Sequence, residues 1–370
     1  PGCGGGRRRK ARATESMGAA LQVATSRSET LTVREVPVAD VAECAWRSLE
    51  AASSEPNVFH GRDFALSYAS AFSLTPRLRA VLVEGEDGRL DGLFLFQRRL
   101  RWGLPFPVAV ALVHSFAGTS VPLVRAGCEA PVAAAFMRAL AHRSSWQCAW
   151  LLPLLPRDGA LTEAFLAAAR EQGIEATWYA PHLRAVLKPL TGPREEFPVT
   201  GGGKLKKYRQ MGRRLAEEGE LTFEAVRDEA GVSYALEKFF ELEREGWKGR
   251  SGTAASQNLA HEALFRGAIP ALAQRGRCLI ETMSLDGKPL AIGITLEHGR
   301  TSWLWKIAYD ETYARFSPYV QLLQHQTLHA LEMGRPQLYD SCSKPDSPPP
   351  CPSSSAVAAP PTPRRSNCAT

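Results

Sequence analysis

Apolar and polar residues alternate along the first half of the chain with periods that separate strands from helices. Two-residue alternation and short apolar runs predict strands, whereas a period of three to four residues predicts helices. Two apolar runs meet at Asp87-Gly88, a dipeptide typical of a hairpin turn. The predicted elements are a strand at 31–36, a helix at 39–52, the hairpin at 79–99, a helix at 131–142, a strand at 149–155, a helix at 161–173 and a closing strand at 182–190.

The second half of the chain follows the same order. Its hairpin turns at Asp286-Gly287, and Ser317 and Pro318 have the residue types favoured at the N-cap and first position of a helix. The predicted elements are a basic helix at 204–218, a strand at 221–226, a helix at 234–246, the hairpin at 277–300, a third strand at 301–310, the helix from Ser317 and a strand at 336–342.

Both halves therefore contain a helix, a hairpin with an Asp-Gly turn, a helix with proline at its start and an apolar strand. This shared order predicts a duplicated unit of roughly 150 residues. The predicted fold class is α/β (α+β), with two tandem lobes that each hold a mixed, mostly antiparallel sheet flanked by helices. The predicted divisions are a disordered tail at 1–30, lobes at 31–196 and 197–343, and a disordered Pro/Ser-rich tail at 344–370.

The repeat also predicts that the second lobe lacks one piece. In the first half a helix at 161–173 and a strand at 182–190 follow the apolar strand, whereas Pro-rich sequence follows Tyr339-Asp340-Ser341-Cys342. We expect this difference to leave a sheet edge exposed in the second lobe. A shifted reading frame or a misplaced gene boundary would explain it.

The positive charge of the chain lies mainly at its two ends. The formal net charge is +7, and residues 1–16 and 344–370 hold six of the seven excess charges. The body of the chain is therefore close to neutral, which argues against nucleic acid as a partner. The basic run at 204–214 is followed directly by acidic residues, so a solvated helix is the simpler interpretation, with RNA binding as the alternative.

Cysteine and apolar patterns indicate a cytoplasmic protein without a membrane span. The eight cysteines form no C-x-x-C pair, which is typical of a reducing compartment and gives no zinc motif. The most apolar stretch, 104–116, contains two prolines and is too short to span a bilayer. The Arg-rich start lacks the apolar segment of a secretory signal.

Searches for familiar catalytic and metal motifs fail. The segment TGGGKL at 200–205 has neither the spacing of a phosphate-binding Walker loop nor its hydroxyl residue. His325 and His329 are four residues apart on a helix, but no third ligand is evident, so we expect no metal site.

The junction at 307–328 is more informative, because a strand ends there and a short loop leads into a helix. Free N–H groups and the helix dipole at such a start can bind phosphate, and Arg315 adds positive charge. The alternative is an ordinary capped helix packed on a sheet.

Four segments together resemble a known family. They are GWKGRSGTA at 246–254, LDGKPLAIGITL at 285–296, WLWKIAYDETYARFSPYVQL at 303–322 and YDSC at 339–342. They are similar to the GNAT-type acetyltransferase domain of CelD-like bacterial proteins associated with cellulose biosynthesis, which are related to the FemAB aminoacyltransferases. The resemblance covers 31–343 and is strongest over 236–342, and the tandem lobes of FemAB-type proteins agree with the internal repeat.

The resemblance implies direct acyl transfer from acetyl-CoA or another acyl-CoA to an amine or hydroxyl of a small molecule or glycan. It also implies residue roles. Asp340 would act as base or position the acceptor, and Trp247 and Lys248 would line the acceptor cleft. The implied donor-binding residues are Lys306, Ile307 and Ala308 along the acyl-pantetheine arm, and Arg315, Ser317, Val320 and Gln321 around the pyrophosphate.

The chain departs from the family pattern at two places. Tyr319 stands where the family usually has glycine, and SKPDSPPP follows where the family continues with a His-Pro and another helix. Two other functions stay open, a FemAB-like transferase that uses aminoacyl-tRNA through the helix at 204–214, and a non-catalytic protein of polysaccharide export. The sequence leaves the oligomeric state open.

Overall fold

The computed structural model describes residues 31–343, apart from 102, 104–105, 143–148, 180, 182, 188–201 and 333–337. The predicted disordered segments 1–30 and 344–370 lie outside these residues, and so does the predicted lobe boundary at 196/197. Within the described part of the chain, no helix is long and apolar enough to cross a lipid bilayer.

A mixed six-stranded sheet forms the first lobe. Its strands are β1 (Thr32–Pro37), β2 (Arg79–Glu84), β3 (Leu90–Arg99), β4 (Val108–Ala111), β5 (Leu123–Val124) and β6 (Trp150–Leu151). The order is β1-β2-β3-β4-β6, with β5 paired to β3, and only β4 and β6 run parallel. The helices are α1 (Glu43–Ala52), α2 (Arg62–Ala71), α3 (Glu129–His142) and α4 (Ala160–Glu171).

A second six-stranded sheet forms the other lobe. Its strands are β7 (Val186–Leu187), β8 (Leu221–Val226), β9 (Cys278–Leu285), β10 (Lys288–His298), β11 (Thr301–Tyr309) and β12 (Leu338–Asp340). The order is β7-β12-β11-β10-β9-β8, and only β11 and β12 run parallel. The helices are α5 (Gly202–Ala216), α6 (Glu229–Glu245), α7 (Trp247–Arg250), α8 (Leu259–Ala273) and α9 (Pro318–Glu332).

The two sheets confirm the predicted duplication and fold class. Strands β1-β2-β3-β4-β6 of the first lobe correspond in order and direction to β8-β9-β10-β11-β12 of the second. In each lobe a helix leads from the fourth strand of this series to the fifth, which lies parallel to the fourth. The second Asp-Gly turn is a two-residue connection in which Asp286 and Gly287 have φ values of 50° and 78°, as a type I′ turn requires.

The prediction that the strand at 182–190 closes the first lobe is wrong. Of the residues described in this stretch, Val186 and Leu187 form a strand, and they pair with Asp340 and Tyr339 in the second sheet. The expected exposed edge is therefore also wrong, because β7 covers the outer side of β12. A short apolar strand carries no pattern that selects one sheet over another. Only the tertiary structure therefore shows that β7, from the first half of the chain, belongs to the second sheet, an arrangement we call the exchange.

One hydrophobic core joins the two lobes. It contains Trp46 and Phe59 from the first lobe together with Phe265 and Trp303 from the second. We call the boundary between the two lobes, where helix α2 packs on α8, the seam. Across it, the indole Nε1 of Trp305 donates a hydrogen bond of 2.7 Å to the Phe116 carbonyl. The first lobe thus supplies part of the surface that faces β11.

Candidate active site

A β-bulge in β11 brings two consecutive side chains to the same face of the second sheet. Ile294 of β10 is opposite Lys306, whereas Thr295 is opposite Leu304, so Trp305 is the extra residue. In a regular strand neighbouring side chains point to opposite faces, and a bulge breaks that alternation. Trp305 and Lys306 consequently both face the seam, where the Lys306 Nζ lies 4.6 Å from the centroid of the Phe116 ring.

Strands β11 and β12 separate at the same point and form a fork. Among the described residues, β12 pairs with β11 at Thr301, Ser302 and Trp303 alone, and Asp340 is the last residue in this pairing, opposite Trp303. From Leu304 onward, no strand among the described residues pairs with the outer edge of β11. The backbone groups along that edge are available to a bound molecule.

Asp340 is buried at the fork and held from two sides. The Nη2 of Arg184 donates to its Oδ2 at 2.6 Å, and the backbone N–H of Cys342 donates to its Oδ1 at 2.8 Å. Burial raises the pKa of Asp340, and the positive charge of Arg184 opposes that rise. Arg184 lies two residues before Val186, the first residue of the exchanged strand β7, so the first half of the chain supplies the partner of this carboxylate.

Lys306 has no hydrogen bond or ion pair with any residue that the structure describes. Its ammonium rests on the rings of Phe116 and Trp305, and the latter centroid is 5.7 Å from Nζ. Burial and, to a smaller extent, the nearby charge of Lys248 together lower the pKa of Lys306 to about 8, against smaller opposing effects of Cys342 and Glu243.

The predicted acceptor residues Trp247 and Lys248 lie on α7, and Lys248 is close enough for its charge to lower the pKa of Lys306. The Lys248 ammonium donates to the buried Glu243 at 2.6 Å, and the other Glu243 oxygen accepts from the Ala255 N–H at 2.7 Å. The Trp247 ring is 53% exposed, and its backbone N–H donates to Glu311 after β11. These contacts fix α7 against the end of β11.

The GWKG segment requires glycine at position 249, where α7 follows closely after α6. A Cβ atom on Gly249 would lie 1.6 Å from the Arg244 carbonyl oxygen, a distance that no side chain can adopt. The close approach explains why α7 begins immediately after α6 and presents Lys248 to the seam.

His261, for which the sequence predicted no role, also lies at the seam. Its ring contacts Phe116 edge to face, with the centroids 4.8 Å apart, and its ring nitrogens have no hydrogen-bond partner among the described residues. Burial and the charge of Lys306 lower the pKa of His261, so the ring is neutral at pH 7. A single histidine at the start of an apolar helix gave no signal in the sequence.

The remaining predicted donor residues surround the start of α9, on the other face of the sheet. Ser317 precedes the helix as predicted, but it has a left-handed φ of 53°, and its carbonyl accepts the N–H groups of Val320 and Gln321. Gln321 is buried and donates from Nε2 to the carbonyls of Tyr208 and Phe316, so it ties α9 to α5. Val320 is buried as well.

Arg315 and helix α5 supply positive charge near that helix start. The Arg315 side chain is 67% exposed and pairs with Glu218 at 3.0 Å. Helix α5 presents five exposed basic side chains that form no ion pair with described residues: Lys206, Lys207, Arg209, Arg213 and Arg214. Tyr319, the departure from glycine, packs 6.3 Å from the ring of Tyr309.

Two other features do not point to chemistry. A cleft of about 660 Å3 lies elsewhere between the lobes, but its Arg277 pairs with Glu50 and its lining includes neither Asp340 nor any residue of β11 from Trp303 onward. His329 pairs with Glu281 at 3.0 Å and His325 stacks on Phe223. Within the described chain, no group of three or more His, Cys, Asp or Glu residues could hold a metal ion.

Comparisons with known proteins agree with this architecture. Residues 203–343 match the acetyltransferase (GNAT) domain family. The crystal structure of FemX has a TM-score of 0.53 at 12% identity, with 85% of this chain and 90% of that chain covered. A search of curated proteins found no match.

Two further solved structures are similar at TM-scores too low to support a conclusion. One is the C-terminal domain of a putative lysylphosphatidylglycerol synthetase from Agrobacterium fabrum, with a TM-score of 0.47, 14% identity and coverage of 82% and 77%. The other is a tandem GNAT protein from the clavulanic acid biosynthesis pathway, with a TM-score of 0.36, 14% identity and coverage of 84% and 89%. The second lobe thus matches a GNAT acetyltransferase domain in sequence, and the chain as a whole shares the two-lobed fold of FemX.

Proposed function

We propose that this protein is an acyltransferase that moves an acyl group from acyl-CoA to an amine or hydroxyl at the fork between β11 and β12. The observation that carries the proposal is the edge of β11 from Leu304 onward, with which no described strand pairs, next to the bulge at Trp305. The pantetheine arm of CoA carries two amide groups and can pair with such an edge as an added strand does.

The donor then lies along Lys306, Ile307 and Ala308, with its phosphates toward the start of α9. Arg315 and the exposed bases of α5 supply the charge that phosphates require. Ser317, Val320 and Gln321 shape the turn that presents Arg315, because the Ser317 carbonyl accepts the N–H groups of the other two residues. Backbone N–H groups of the β11 edge would polarise the thioester carbonyl.

The acceptor approaches from the seam, beside Trp247 and Lys248. Its amine attacks the thioester carbon, and the neutral His261 takes the proton that the new ammonium loses. The C–N bond forms, the C–S bond breaks, and CoA leaves as a thiolate that solvent protonates. Asp340 serves as a positioning residue, because both of its oxygens already accept hydrogen bonds.

The proposed biological setting of the reaction follows from the resemblance to CelD-like proteins. That resemblance supports an acceptor from polysaccharide or envelope biosynthesis, and an acyl-CoA donor is consistent with action in the bacterial cytoplasm. The residues that carry it surround the fork, since they include the strand at 303–309 and the segment at 339–342.

A FemAB-like transfer from aminoacyl-tRNA is the second candidate. The specific observation in its favour is the set of five exposed Lys and Arg side chains on α5 that form no ion pair with described residues, because such a set suits a nucleic-acid backbone as well as the phosphates of CoA. A non-catalytic role in polysaccharide export would require neither donor.

Calorimetric titration of the full chain with acetyl-CoA and longer acyl-CoAs tests the proposal. We expect micromolar binding, weakened about tenfold when Lys206, Lys207 and Arg209 are replaced by alanine. Alanine at Arg77, Arg101 and Arg170, exposed bases of the first lobe, is the matched control and leaves affinity unchanged. Salt-sensitive tRNA binding without acyl-CoA binding would favour the second candidate, and binding of neither donor by folded protein would favour the non-catalytic role.

A further inference from the structure

The charges at the fork do not balance. Lys248 pairs with Glu243, and Arg184 pairs with Asp340, so each of these cations has its own carboxylate. Lys306 has none among the described residues. The group as a whole therefore carries one excess positive charge, and that charge resides on Lys306.

The two histidines nearest to Lys306 do not change this balance. His261 is neutral at pH 7, as derived above. The pKa of His114 is lowered to about 3, first by burial and then by the charges of His60 and Lys306. Neither histidine carries a charge at pH 7, so the excess of one positive charge at the fork remains on Lys306.

Aromatic rings hold the ammonium without neutralising it. Phe116 and Trp305 lie within cation–π distance of the Lys306 Nζ, and such contacts stabilise a cation less than a carboxylate would. A partly buried cation beside a second lysine is stabilised when an anion binds to it. The site is therefore preorganised for a negative group that arrives with a ligand.

The face of the second sheet on which Lys306 lies indicates whether the donor or the acceptor supplies the negative group. Ile307 and Tyr309 pack with Phe316 and Leu322 on the opposite face of the sheet, the face covered by α9 and α5, where the donor phosphates would bind. Lys306 faces the seam instead, because of the bulge. An anion that meets Lys306 therefore belongs to the acceptor.

Resting on the proposed function, we propose that the acceptor is an anionic amine, in which a carboxylate or phosphate pairs with the Lys306 ammonium while the amino group faces the acyl carbon. The bulge at Trp305 then acts as a specificity device, since it turns Lys306 to the seam. Carboxylate and phosphate are equivalent in this argument, because both present paired oxygens to an ammonium.

Matched acceptor pairs test this inference with acetyl-CoA as donor. Glutamate is compared with glutamate α-amide γ-methyl ester, and glucosamine 6-phosphate with glucosamine. We expect a kcat/KM about tenfold or more higher for the anionic member of at least one pair. The pair that responds distinguishes carboxylate from phosphate.

Replacement of the lysine shows whether this residue makes the choice. Lys306→Met should abolish the preference by raising KM for the anionic acceptor, whereas Lys306→Arg should keep it. Lys238→Met, on the exposed side of α6, is the control and should behave as the wild type. A preference that survives in Lys306→Met, or equal use of neutral and anionic acceptors, would overturn the inference.

A binding measurement separates this inference from the proposed function. Glutamate and glucosamine 6-phosphate are titrated into wild type and Lys306→Met, with folding of both checked by circular dichroism. Binding of at least one of them that depends on Lys306 supports the anionic acceptor even if no turnover occurs. Acetyl-CoA binding without such dependence leaves the acyltransferase proposal standing and rejects the anionic acceptor.

Discussion

The Nη2 of Arg184 lies 2.6 Å from the Oδ2 of Asp340, across 156 residues of sequence. Arg184 precedes the strand that the first half of the chain gives to the second sheet, and Asp340 ends the strand that this exchange covers. The fork is therefore built by both halves of the chain. Its geometry depends on the exchange as much as on the GNAT-like lobe itself.

Removal of Arg184 should destabilise the protein strongly. Arg184→Ala leaves the buried Asp340 carboxylate without its charge partner, which costs about 3 kcal/mol in comparable pairs. Urea unfolding measures the loss. Arg34→Ala is the control, because Arg34 is 52% exposed in its pair with Glu84 and should cost less than about 1 kcal/mol. Equal losses in the two variants would contradict the role of the Arg184 pair.

Lys306 should give the protein a distinctive dependence of stability on pH. Its pKa is about 8 in the folded protein and 10.5 ordinarily. Between these values the unfolded chain binds a proton that the folded protein has lost, so the free energy of unfolding should rise with pH over this window. The contribution is roughly 2 kcal/mol after allowance for solvent.

Lys306→Met should lack that rise. Parallel urea titrations of wild type and variant from pH 7 to pH 10.5 measure the difference between their slopes. A wild-type slope that the variant reproduces would show that another group titrates in this range.

Two glutamines of α9 should respond to substitution with opposite signs. Gln326 is 1% exposed, and neither amide atom of its side chain has a partner among the described residues. Gln326→Met should stabilise the protein by about 1 kcal/mol, because an unpaired buried amide is removed. Gln321→Met should destabilise it by a similar amount, since it loses two hydrogen bonds to carbonyls. Thermal unfolding of both variants gives the signs, and a shared sign would contradict this account of α9.

His261 should determine the acidic limb of the activity profile. If the neutral ring accepts the proton, His261→Gln should lower kcat by about 100-fold or more and remove the loss of rate at acidic pH. Asp340→Asn should lower activity but keep that limb, because Asp340 positions groups and does not take the proton. The kcat of each variant from pH 5 to pH 8 is the measurement, and an acidic limb that follows Asp340 would reverse the two roles.

The sequence predicted the features that depend on local signals. The Asp286-Gly287 turn, the Ser317-Pro318 helix start and the repeated strand order all have short-range causes, and the structure confirms them. The roles given to Trp247, Lys248, Lys306 and Asp340 came from the resemblance, and they stay predictions. The structure places Lys306 and Asp340 on the two strands of one fork, with Lys248 near Lys306, whereas Trp247 contacts Glu311 beyond the end of β11.

The features that the sequence did not predict depend on long-range contacts. The bulge at Trp305 is visible only in the way that β11 pairs with β10. Strand β7 belongs to the second sheet only because it pairs with β12. Helix α8 gave no clear signal because Gly267 and Pro270 interrupt its pattern, although Pro270 lies inside the helix. His261 could not be placed beside Lys306 without that helix.

Hydrogen exchange at the β11 edge tests the central claim most directly. Exchange of a peptide covering 304–309 is measured by mass spectrometry with and without saturating acetyl-CoA, and a peptide from the edge strand β8 is the internal control. We expect acetyl-CoA to slow exchange at 304–309 and to leave exchange in β8 unchanged. Acetyl-CoA binding that leaves 304–309 unprotected, or no binding by folded protein, would contradict the claim that the fork holds the acyl donor.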